Sequence, residues 1–197
     1  MSEFKLAIKT GFGLDESIHE NWQGFSVSEI AFPGICWISC GKQGLADFEK
    51  AWKKLSGVSL PGAGQFVSGD DGLSNVTIFD GGAGQWFVTG ANASALDALS
   101  GVAAVTDQTG GWLGLQLEGA KTLTVLEKLC GIDLHPSVFP SGSCARTPFE
   151  GMAALIACED SKDSRFLVLF QRSSSRSFLD HVRHAAQSSC AVIEGSA

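Results

Sequence analysis

No apolar run in this chain is longer than a β-strand. The longest, Met152 to Cys158, is followed by a polar turn over Glu159 to Arg165 and a second strand-sized run, Phe166 to Phe170. A membrane span needs roughly 18 consecutive apolar residues. The chain must therefore bury its apolar surface as short elements packed face to face. With 197 residues, 44% hydrophobic and 18% charged, it has enough material for a core of its own.

The periodicities assign the elements. Trp112 to Glu118 alternates Leu113, Leu115 and Leu117 against Gly114, Gln116 and Glu118, the pattern of a half-buried strand. Gly44 to Leu55 places Leu45, Phe48, Trp52 and Leu55 on one helical face. Its acidic residues lead, its lysines follow, and Gly57 stands just past its end, as the helix dipole and a left-handed stop require. Further strands are predicted at Phe25–Ala31, Ile35–Cys40, Val76–Phe79, Trp86–Thr89 and Val102–Thr106. Further helices are predicted at Asn92–Leu99, capped by Asn92 or Ser94, at Ala120–Cys130 and at Ser173–Gln187. Leu60 to Asp71 reads as loop, and Cys190 to Ile193 as a last short strand. Hairpins alternating with single helices favour an α+β fold over a doubly wound parallel sheet. Residues 1–24 read as an N-terminal arm able to pack on a partner. Residues 25–193 read as a single domain, divisible into lobes near 25–106 and 107–193.

Charge and cysteine usage exclude several function classes. A net charge of -7 repels a phosphate backbone, and there is no polybasic run for an anionic membrane surface. With no signal-peptide pattern at Met1–Thr10, a cytoplasmic protein is expected, and its six cysteines read as reduced core residues.

No catalytic, cofactor-binding or metal residue is assigned. Gly81-Gly82-Ala83-Gly84 leads into a strand, so it reads as a hairpin turn and not a phosphate cradle. Cys36 and Cys40 have no second ligand pair to complete a zinc site. His181 and His184 share a helix face and nothing more. Cys144 with His135 is the best nucleophile pair and lacks any mark of activation. One loop stands apart: Asp133 to Ser143 is apolar and stiff, with two prolines, between regular elements. Its Leu134, His135, Pro136, Phe139 and Pro140, with Arg146 just beyond, form a candidate subunit-contact loop, Arg146 being suited to pair with a carboxylate.

The same region carries a resemblance. Val105-Thr106-Asp107-Gln108, Leu117-Glu118-Gly119-Ala120 and Leu129-Cys130-Gly131-Ile132-Asp133-Leu134-His135-Pro136 occur in order, followed by Phe139-Pro140-Ser141-Gly142-Ser143-Cys144-Ala145-Arg146-Thr147 and Gln171-Arg172-Ser173. This series resembles the gamma subunit of heterotetrameric sarcosine oxidase, with agreement from about residue 55 to 187. The chain departs from the family at Gly82-Ala83-Gly84-Gln85-Trp86, where an acidic residue is usual.

The resemblance implies an aminomethyltransferase (folate-binding)-like fold with ferredoxin-like β-α-β-β-α-β units. It implies a non-catalytic subunit of a flavoenzyme that oxidises an N-methyl amino acid in sarcosine catabolism and one-carbon metabolism. The partners would be alpha, beta and delta subunits, with FAD, FMN, NAD and tetrahydrofolate on those chains and none on this one. The alternative is a stand-alone folate-binding or aminomethyltransferase-like protein, for which Asp107 and Asp133 are the candidate pterin acceptors.

Overall fold

The computed structural model describes residues 10–14, 16–69 and 75–190. In chain order the first half contains β1 (His19–Trp22), β2 (Phe25–Ile30), β3 (Ile35–Ser39), α1 (Leu45–Ser56), β4 (Phe66–Gly69), β5 (Val76–Gly82), β6 (Gln85–Thr89), a 3-10 helix over Ala93–Leu99 and β7 (Ala104–Asp107). The second half contains β8 (Trp112–Glu118), α2 (Thr122–Leu126), β9 (Cys144–Phe149), β10 (Met152–Asp160), β11 (Arg165–Gln171), a short 3-10 turn over Arg172–Ser174 and α3 (Ser175–Cys190).

These elements make a mixed α+β structure with two antiparallel sheets. One runs β1-β2-β8-β11-β10-β9 and the other β4-β5-β6-β3-β7. Alternation within each strand sends one set of side chains to a helix layer and the other to the opposite sheet. On the first sheet, Leu113, Leu115 and Leu117 pack with Ile156, Val168 and Phe170 beneath α2 and α3. On the second, Cys36, Ile38, Ile78 and Val88 pack with Phe48 and Trp52 of α1. Between the sheets lie Ile35, Phe79, Phe87, Leu155, Leu167 and Leu169. The layers run helix, sheet, sheet, helix. α3 is fixed by Phe178, whose ring stacks on Phe170 at 3.9 Å and on Phe149 at 4.4 Å.

The two sheets repeat one connectivity. In the second, β3, α1, β5, β6, a 3-10 helix and β7 follow in the chain, and the strands lie in the order β5-β6-β3-β7. In the first, β8, α2, β10, β11 and α3 follow likewise, and the order is β10-β11-β8-β2. β2, from the N-terminal side, stands where the fourth strand of that unit belongs. β4 and β9 flank β5 and β10 in the same way. Among the described residues β1 has no counterpart beside β7.

Several local expectations are revised. Part of the segment read as an arm is built into the first sheet: Phe12 and Ile18 are buried in its core and His19–Trp22 pairs with β2. The stretch read as loop contains β4, and β9 lies where no element was expected. Helix α2 is a single turn or so, ending at Leu126 and continued to Cys130 by turns, although Leu129 and Cys130 are buried as its stripe requires. Leu45 lies exposed at the start of α1 instead of facing inward. Cys190 is the last residue of α3, and residues 191–193 lie outside the described residues. Among the described residues no helix is long and apolar enough to cross a membrane.

Candidate functional site

The loop between α2 and β9 is held from within. The Asp133 carboxylate accepts from the His135 N–H at 2.9 Å, and His135 Nδ1 lies 2.7 Å from Ser137 Oγ. The N–H groups of Val138 and Phe139 both donate to the His135 carbonyl at 2.8 Å, and Ser143 N–H donates to the Pro140 carbonyl at 3.0 Å. Leu134 and Phe139 turn inward, 2% and 8% exposed, and join the core under α2 and α3. Buried apolar anchors stabilise a loop of this kind. They also withdraw these two residues from the surface that a partner could touch. What remains outward is His135, Pro136 and Pro140, with Val138, which is 61% exposed.

Arg146 is exposed on β9, and its guanidinium carbon lies 5.1 Å from the Trp37 ring centroid of β3. Among the described residues its partner is this aromatic face, and no carboxylate pairs with it. The Arg–Trp contact ties the first sheet to the second. Trp37 in turn meets Phe87 edge-on at 4.5 Å, and Phe87 meets Trp112 at 4.6 Å. Arg146 therefore caps an aromatic file running between the sheets.

The groups considered for chemistry are engaged in structure. Cys144 is buried at the start of β9, and its thiol donates to the Gln65 carbonyl at 3.1 Å. Burial pushes that thiol up to about 12, so it stays protonated at neutral pH. His135 bonds Ser137, not Cys144. Cys36 is buried in the second core, where burial and the Asp107 charge push it up to about 11. The glycine-rich segment closes the β5–β6 hairpin, with Ala83 and Gly84 at positive φ. Asp80 fastens that turn by accepting from Gly82 N–H and, at 2.8 Å, from Gly64 N–H. His181 Nδ1 lies 3.9 Å from Glu150 Oε2. Among the described residues no three metal-capable side chains come together.

Asp107 and Asp133 do not fit a pterin. Both are exposed, and each accepts a backbone N–H two residues on, from Thr109 and His135. Hydrogen bonding from the Thr109 side chain, and then from its N–H, holds the Asp107 carboxyl below its usual range. A pterin acceptor must face a pocket, and these two face their own turns.

Two polar clusters carried no local motif. Glu159, half-buried on β10, takes Gln116 Nε2 at 2.6 Å and Arg165 Nε at 3.3 Å. Burial raises its carboxyl despite the arginine. Arg183 of α3 binds both oxygens of Glu20 on β1 and reaches Asp180 at 3.4 Å. Gln116 and Glu159 are 43 residues apart and Glu20 and Arg183 are 163 apart, so only strand order and the packing of α3 bring these pairs together.

No protein-family model matches the chain, and no curated protein sequence matches it. Among solved structures, it matches a chain of the heterotetrameric sarcosine oxidase from Corynebacterium sp. U-96. That match has a TM-score of 0.74 and 23% identity, covering 89% of this chain and 90% of that one. The fold is therefore that of a chain of this oxidase. The regulatory subunit of aspartate kinase from Thermus thermophilus aligns at a TM-score of 0.37 with 13% identity, over 81% of this chain and 96% of that one. The one from Thermus flavus aligns at 0.33 with 14% identity, over 84% and 99%. Scores at that level do not mark a shared fold.

Proposed function

We propose that this chain is a non-catalytic, gamma-type subunit of a heterotetrameric flavoenzyme that oxidises an N-methyl amino acid. The observation that carries the reading is the match along nearly the whole of both chains to one chain of a sarcosine oxidase heterotetramer. The motif series from Val105 to Ser173 points to the same complex by a separate route. In this reading the aminomethyltransferase-like, folate-binding fold serves as scaffold. FAD, FMN, NAD and tetrahydrofolate sit on the alpha, beta and delta subunits, in the cytoplasm. The loop carrying His135, Pro136, Val138 and Pro140 is a contact with one of them. An apolar tip on a loop already fixed by its own hydrogen bonds loses little entropy on docking.

The test is native mass spectrometry of the tagged chain purified gently from its own cells, with an absorbance spectrum of the same sample. Larger chains and a flavin band are expected. A colourless chain arriving alone refutes the subunit reading. Tryptophan fluorescence then becomes the next measurement, since quenching by reduced folate would favour the stand-alone folate-binding protein.

A further inference from the structure

The edge strands of the two sheets are not treated alike. β4 is joined to the chain before and into β9, through Phe66 N–H to the Gly142 carbonyl at 2.9 Å and Cys144 N–H to the Gly64 carbonyl at 2.8 Å. β9 carries Pro148, which has no N–H to offer a neighbour. β1 holds the charged Glu20, bound by Arg183 of α3. Prolines and charges are the usual guards of a sheet edge. β7, Ala104-Val105-Thr106-Asp107, has no proline and no lysine, and its one charge, Asp107, accepts from Thr109 in its own turn as Glu20 of β1 accepts from Arg183.

The repeat makes this difference specific. β7 holds the place in the second sheet that β2 holds in the first. The outer edge of β2 is covered by β1, paired antiparallel. Beside β7 no described strand stands in the corresponding place. Gln108 N–H donates to the Ile35 carbonyl at 2.8 Å. With the register Cys36 to Asp107, antiparallel alternation then turns the N–H and carbonyl of Val105 and Asp107 outward. A cleft of about 500 Å³ opens at the start of the strand, lined by Ser39, Cys40, Gly41 and residues 100–104. An edge of outward backbone groups recognises an extended polypeptide through its main chain.

We propose that an extended segment of a partner subunit adds to β7 as an antiparallel strand, in the place that β1 occupies beside β2. The proposal rests on the subunit reading above. It places the contact on the second sheet, apart from the loop at the first.

The test compares hydrogen exchange of the Val105 and Asp107 amides in the complex purified from its own cells and in the chain expressed alone. It uses the wild type, Val105→Pro, Thr106→Lys and a chain lacking residues 1–9. Val105→Pro removes one outward donor, and Thr106→Lys places a charge on the exposed side of the edge. Circular dichroism of each isolated variant establishes that it folds. The expected result is slowing of both amides by about a hundredfold or more on assembly, with recovery of larger chains reduced about tenfold or more for folded Val105→Pro or Thr106→Lys. Equal exchange in the free and assembled chain, with full assembly of both variants, overturns the β7 contact and leaves the subunit reading standing. Slow exchange in the isolated chain that is lost on deleting residues 1–9 overturns the partner as occupant. A wild-type chain that arrives with no larger chains removes both readings.

Discussion

Single side chains decide where this protein is rigid and where it is inert. Phe178 lies between Phe149 and Phe170, fully buried, so Phe178→Ala leaves a cavity that neither ring can fill. A loss of about 3–5 kcal/mol is expected from chemical denaturation. Gly90 sits at φ 93, where an added Cβ would come within 2.1 Å of the Asn75 carbonyl oxygen. Gly90→Ala should cost at least about 2 kcal/mol, since both the backbone conformation and the β5–β6 approach must give way. Cys144, with its thiol pushed up to about 12, should resist alkylation in the native protein. Cys40, half-buried, should react first, and mass spectrometry of partly alkylated protein distinguishes the two. Glu159 sets a pH dependence. Its carboxyl titrates above the ordinary glutamate value when folded, so the folded state holds more protons in that window. Its contribution therefore favours folding at low pH and fades as pH rises from the ordinary glutamate value through the raised one. Glu159→Gln should flatten that part of the pH profile of denaturant midpoints.

Elements are placed by their ends as much as by their faces. α1 stops at Gly57, which takes φ 79 and donates its N–H to the Lys53 carbonyl. The 3-10 helix after β6 starts where Asn92 Oδ1 accepts from Ala95 N–H at 3.0 Å. Asn92→Ala should lower stability by about 1 kcal/mol with no change in the denaturant slope, because a cap is lost without exposing core. These signals are local, and they were legible in the sequence as a glycine and an asparagine at the expected offsets. β4 and β9 were not. Phe66-Val67-Ser68-Gly69 is too short to show a period, and Cys144–Phe149 includes an arginine and a proline. Each is a strand because a longer neighbour, β5 or β10, offers it an edge. α2 fails the opposite way: its stripe is long enough for three turns, yet backbone helix ends at Leu126.

At the scale of the whole molecule, two similar units face each other across a thin shared layer. Arg146 over Trp37 is one of the ties between them. Val138, exposed on its loop, belongs to none of the core clusters among the described residues. Val138→Asp should shift the stability of the isolated chain by no more than about 0.5 kcal/mol. If the loop is a contact, the same variant should recover markedly less of the larger chains on gentle purification, as native mass spectrometry would read. Equal recovery would take the loop out of the interface.

The sequence by itself determined the strands and helices whose periodicity is strong, the turn residues between them, and the α+β class. Its motif series also pointed to sarcosine oxidase, where the structural match agrees. It determined that Asp133 to Ser143 would be an unusual loop, but not which of its apolar residues faces out. Leu134 and Phe139 are inward and Val138 outward because the two carbonyl-directed N–H bonds at His135 wind the loop, a geometry that hydropathy does not encode. Only the tertiary structure decided that β2 completes a unit whose other strands lie more than eighty residues later, and that β7 is the outermost described strand of its sheet. Local order follows from interactions within a few residues, which a sequence displays. Strand neighbours depend on which distant edges can pair while both faces of each sheet stay buried, and that is settled only when the chain closes on itself.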